Sequence, residues 1–182
     1  MKNIKNNIII SLFFLIFSSC DSTYEFFDKH VDNYFNKRRI ERMCARSVID
    51  LFDLQKRINL KSSNQNFFFS KKSLQILETN ENLLLSVYKE GQTGEQVKRI
   101  EEKVSNLLRG KESIYSDCLH LVKNQSKCNS IHYGQVVDCY SKAVSLFTKE
   151  SIIQSPAITR FPTENQNELK KNLAQLKTYL KD

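Results

Sequence analysis

The chain has 182 residues and a formal net charge of +8, a length that suits one domain with a real core. It holds only 4 Gly and 2 Pro, with many Lys, Glu, Gln, Asn and Leu, no internal repeat and no sustained strand-type alternation. That excludes a turn-rich β architecture and predicts long helices, while the basic balance points to anionic partners (lipid, acidic polysaccharide, acidic protein), against the plainer reading of an ordinary solvated surface.

The first element in chain order is a processing signal. Lys2 and Lys5 precede an apolar run from Ile8 to Phe17, broken only by Ser11. A run of about ten residues is too short to cross roughly 30 Å of hydrocarbon as a helix. A basic start, a short apolar core and small residues have the layout of a secretory signal. Phe17, Ser18, Ser19 and Cys20 resemble the lipobox of bacterial lipoproteins, with Phe17 standing where that family prefers leucine. The resemblance covers residues 1–20 and says nothing of the mature chain. It implies removal of residues 1–19 as a signal peptide and acylation of Cys20, with palmitate among the acyl groups. Residues 20–182 would then form a single helical domain, held at a membrane of the cell envelope. Several chains on one cysteine anchor stably, where one chain binds only marginally. For an exported chain, nucleic acid is a poor partner.

The first helix is expected from about Ser22 or Thr23, on the spacing of Tyr24, Phe27, Val31 and Tyr34. A second phase follows at Ile40, Cys44, Val48, Leu51 and Ile58, so the shift of stripe around Lys37, Arg38 and Arg39 allows a bend or a break there. Asn59 to Asn66 reads as a loop. Ser70 is a good N-cap for a second helix, marked by Leu74, Leu77, Leu84 and Tyr88 and stopped by Gly91. Thr93 and Gln96 stand at capping-box spacing and open a third helix. Its stripe runs from Val97 to Val122 through Gly110, which reads as a kink in one long helix. Asn124 to Ser130 reads as a loop, and a fourth helix covers about Ile131 to Ile153. After a connector with Pro156 and Pro162, Thr163 and Gln166 make another capping-box pair before the stripe Leu169, Leu173, Leu176 and Leu180. The predicted class is all-α, an up-down bundle of four or five helices stapled by disulfides.

Cys44, Cys118, Cys128 and Cys139 remain after Cys20, and an even count in an oxidising compartment favours disulfides. Levels along an up-down bundle favour Cys118–Cys128 with Cys44–Cys139, ahead of Cys118–Cys139 with two free thiols. Cys118, His120, Cys128 and His132 hold the residue types of a tetrahedral zinc site. Their spacing fits no compact finger, so no metal or other cofactor is predicted. His30, isolated among charged residues, reads as a solvated surface group. No nucleophile, phosphate-cradling or paired-carboxylate motif is present, and the chain is not read as an enzyme.

Lys37, Arg38, Arg39 and Arg42 are the densest basic cluster and the candidate contact for an anionic surface, against the competing reading of a solvated helix face. Phe67, Phe68 and Phe69 cannot all share one face; staple and core packing compete with an exposed contact. The functional expectation is a lipid-anchored envelope or surface protein that binds a partner, with a small-ligand or metal carrier using the bundle interior as the alternative.

Overall fold

The computed structural model describes residues 34–58, 68–88, 93–109, 113–131 and 133–181. The expectations for Cys20, the signal segment, the start of the first helix, His30, the loop at Asn59–Asn66, Phe67, Gly91, Gly110 and His132 lie outside the described residues. The chain divides into two compact units, Met1–Arg38 and Arg39–Asp182. Of the first, only the helical residues 34–38 are described.

Among the described residues there are eight α-helices and no strand. Helix α1 covers residues 34–58, helical throughout, with no interruption at Lys37–Arg39. Helices α2 (Lys71–Thr79) and α3 (Glu81–Leu85) follow, then a 3-10 turn at Ser86–Tyr88. Next come α4 (Gly94–Leu107), α5 (Ile114–Lys123), α6 (Ser126–Ser130) and α7 (Tyr133–Gln154). A 3-10 turn at Pro156–Arg160 leads to α8 (Thr163–Leu180). Among the described residues, no helix is long and apolar enough to cross a membrane.

Local signals account for several of these boundaries. The Ser70 side chain accepts from the Ser73 amide and opens α2. Thr93 and Gln96 form the reciprocal capping box, with the Thr93 amide donating to Gln96 Oε1 at 2.8 Å. Other boundaries correct the expected elements. The long third helix is two helices. Ser113 caps α5 by accepting from the Ser116 amide, and its hydroxyl donates back to the Leu108 carbonyl at 3.1 Å, tying off the end of α4. Asn80 divides the second helix: its side-chain amide donates to the Ile76 carbonyl, and its own carbonyl accepts from Leu83 and Leu84. The expected loop at Asn124–Ser130 holds α6. Thr163 is the first residue of α8 and not its cap; Pro162 precedes it, and Gln166 donates from its side chain to the Phe161 carbonyl.

The core of the second unit is built around α1. Ile40, Cys44, Val48, Leu51 and Phe52 are buried, and Ala45 and Ile49 widen the stripe beyond one face. Each neighbour meets α1 through a named contact. The Cys44–Cys118 bond joins it to α5. Ser47 shares a hydroxyl hydrogen bond of 2.7 Å with Thr148 of α7. Phe52 packs edge-to-face on Phe69, just before α2. Lys56 pairs with Glu81 of α3, and Arg42 with Glu102 of α4. Tyr115, Val104 and Val122 complete this interior with almost no exposed surface.

Candidate functional site

All four cysteines after Cys20 are fully buried and bonded. The pairing is Cys44–Cys118 and Cys128–Cys139, with Cα separations of 5.8 and 5.4 Å, and it corrects the expected connectivity. The expectation placed Cys118 near the end of one long helix and so at a different level from Cys44. The break between α4 and α5 removes that constraint and sets Cys118 beside Cys44. Cys128 rides on α6 instead of a loose loop, within reach of the second turn of α7. The sulfurs of Cys118 and Cys128 are thus committed to different bonds. His120 is exposed and shares a hydrogen bond of 3.0 Å through Nε2 with the Asn124 amide. Among the described residues, no three metal-ligating side chains cluster.

The basic cluster is split in its uses. Lys37 is exposed, and Arg38 lies 5.6 Å over the Tyr34 ring while donating to its hydroxyl. Arg39 is half-buried. Arg42 faces α4, where it pairs with Glu102. One turn on, Arg46 lies between Asp50 at 3.4 Å and Glu101 at 3.9 Å. Burial holds the Glu101 carboxyl above its ordinary range, against the opposing pull of Arg46 and then Arg42. Arg42 therefore serves the α1–α4 seam. Of the phenylalanine run, Phe69 is core and Phe68 is half-buried, with its amide donating to the buried Gln55 side chain.

One concavity was not foreseen. A groove of about 630 Å³ runs between α5 and α7 beside the start of α2. Its α5 wall carries Ile114, Asp117 and Leu121, and its α7 wall Phe147, Glu150 and Gln154, each set at steps of three and four. Ile114, Phe147, Ser113 and Ser155 are buried and make the base; Asp117, His120 and Gln154 are exposed and make the rim. Among the described residues, no Lys or Arg lines it. In a basic chain this is a local reversal of charge, favourable to cationic or neutral groups and unfavourable to anions. Lys177 reaches Glu150 at 2.7 Å and offsets part of that field.

Helix α7 carries the opposite chemistry on another face. Lys142, Ser145 and Lys149 meet Asn172, Leu176 and Tyr179 of α8 across a smaller groove of about 370 Å³. Tyr179 has Lys142 at 3.8 Å and Lys127 at 4.9 Å from its ring centre. The hydrogen bond to Asp138 holds the Lys142 ammonium above its ordinary range. The second groove could have been sought as polar residues repeating at i, i+3 and i+7 in α7 (Lys142, Ser145, Lys149), but which helix faces them is not written there.

No protein-family model, no curated protein and no solved structure matches this chain.

Proposed function

We propose that this protein is an exported lipoprotein, held at a membrane through lipid on Cys20, which acts by binding a partner in the cell envelope or at its surface. The observation that carries the proposal is the short apolar run ending in Phe17, Ser18, Ser19 and Cys20. Support comes from the two disulfides, since such bonds persist in oxidising compartments and are rare in the cytosol. The binding role is supported by a polar-rimmed groove between α5 and α7 and by the want of any catalytic motif in the sequence.

The anchor is tested by acyl labelling. Globomycin is expected to make the precursor accumulate, and Cys20→Ala to abolish the label. Normal processing in both experiments would refute the anchor. The partner is sought by cross-linked pull-down from envelope fractions, with Asp117→Lys and Glu150→Lys as groove variants; capture that survives both variants removes the groove from the binding role.

A second reading, a small-ligand carrier, is favoured by the volume of that groove, which falls in the usual range for ligand pockets. It lies between helices at the surface, whereas the bundle interior is filled by side chains such as Phe52 and Tyr115. Native mass spectrometry of the protein purified from its own membrane distinguishes the two. A bound small mass displaced by the Asp117 and Glu150 variants supports the carrier; its absence leaves the partner reading.

A further inference from the structure

In the first unit, Tyr34 and Phe35 are 56% and 58% exposed, the two most exposed large hydrophobic side chains among the described residues. They are adjacent and touch edge-to-face, with ring centres 6.0 Å apart. Single exposed hydrophobics are ordinary, whereas contiguous ones mark contact surfaces. The next turn carries Lys37, exposed, and Arg38, stacked over Tyr34. The segment 34–38 holds no acidic residue. At a rise of 1.5 Å per residue, the backbone positions of the two cations lie roughly 3–6 Å beyond those of the two rings, and the Arg38 guanidinium folds back over Tyr34.

We propose that the segment Tyr34–Arg38 is an interfacial contact with an anionic lipid bilayer. Its two rings sit at headgroup level and its two cations among the phosphates. Exposed rings with cations beside them suit a membrane interface, where amphipathic rings sit at headgroup level and long basic side chains reach the phosphates. A protein partner would accept the same side chains. A bilayer is favoured because the anchor puts one close by. At about 3.5 Å per residue, the chain between Cys20 and Tyr34 reaches at most roughly 50 Å. The inference rests on the anchor reading for that proximity, and it assigns the segment a role the lipid alone does not supply: a second attachment point, held at high effective concentration by the first.

The chain has no Trp, so Phe35→Trp introduces a single reporter. The chain from Asp21 to Asp182, lacking only the lipidated residue of the processed protein, is mixed with phosphatidylcholine vesicles with and without phosphatidylglycerol. The emission of the introduced indole is expected to shift to the blue and to be quenched by brominated lipid in the anionic vesicles, with salt weakening both effects. At about five-fold in partition per basic residue, Lys37→Gln with Arg38→Gln lowers binding by roughly thirty-fold. Lys170→Gln with Lys171→Gln, an equal loss of charge on α8, changes it about two-fold or less. An unshifted, unquenched reporter overturns the proposal, and so does an equal loss in the α8 pair, which would make the binding a matter of net charge. A reporter that shifts with acidic polysaccharide or polyglutamate but not with vesicles overturns it in favour of a soluble anionic partner. Acyl labelling of the wild-type protein is read separately: an unlabelled chain whose reporter still inserts sinks the anchor and spares the contact, while a labelled chain whose reporter stays in water does the reverse.

Discussion

Helices α1 and α8 have similar apolar spacing in sequence and quite different places in the second unit. Residues 39–58 of α1 bury Ile40, Cys44, Ala45, Val48, Ile49, Leu51 and Phe52 and meet α3, α4, α5 and α7. In α8, Leu169, Leu173 and Leu176 are only half-buried, and Leu180 alone is buried. Its contacts are with α7 and with Lys127 of α6, whose ammonium donates to the Lys181 carbonyl just past the helix end. One helix is a hub sealed by a covalent bond. Among the described residues, the other packs mainly along α7, with its opposite face exposed. Stability should therefore be concentrated in the α1–α5 seam and thin out towards α8.

The largest expected effect comes from unstapling the hub. The Cys44–Cys118 bond closes a 74-residue separation, so Cys44→Ala with Cys118→Ala should cost about 4.5 kcal/mol on the loop-entropy scale. The Cys128–Cys139 bond closes a separation of 11, and the same scale puts its removal at about 3 kcal/mol. Urea denaturation of both double variants checks the order, which reverses if α6–α7 is the tighter seam. Next, Leu173→Ala in α8 should cost about 1 kcal/mol, well below the 2–5 kcal/mol of a fully buried leucine. Hydrogen exchange should accompany it, with α8 amides exchanging faster than those of residues 44–52.

The smallest effect belongs to Glu101, at the α1–α4 edge of the hub. Burial raises its folded-state pKa above the unfolded value, so the folded form binds the proton more tightly. Its stabilising contribution is complete below the ordinary carboxyl range and is lost as pH rises through the raised value. Glu101→Gln should remove that falling contribution and cost little at neutral pH. Thermal unfolding across the acid range checks it: wild-type stability relative to the variant should fall as pH rises, and a relative rise would mean that the Arg46 pairing outweighs the burial.

The parts that were legible beforehand are the local ones. Ser70 and the Thr93–Gln96 pair could be read as caps because the bonds they make span three residues. The break before α5 was as local in principle. Ser113 is a capping residue type directly before Ile114, but the apolar stripe continuing from Leu108 to Ile114 masked it. The groove between α5 and α7 had no such signal. Asp117, His120 and Leu121 look like an ordinary helix surface until Phe147 and Glu150 are brought opposite them.

The sequence by itself determined that the described chain is helical and where two of its caps, Ser70 and Thr93, fall, because hydrogen bonds within a helix and the burial stripe along it repeat over three or four residues. It also carries whatever Cys20 means, since a processing signal is read as extended chain before any fold exists. Only the tertiary structure decided that Cys44 meets Cys118 and that Glu150 of α7 stands across a groove from Asp117 of α5 while Lys142 and Lys149 face α8. Those facts depend on where helices lie relative to each other, and that placement follows from how the whole core packs, with a break of a few residues between α4 and α5 enough to move a cysteine from one partner to another.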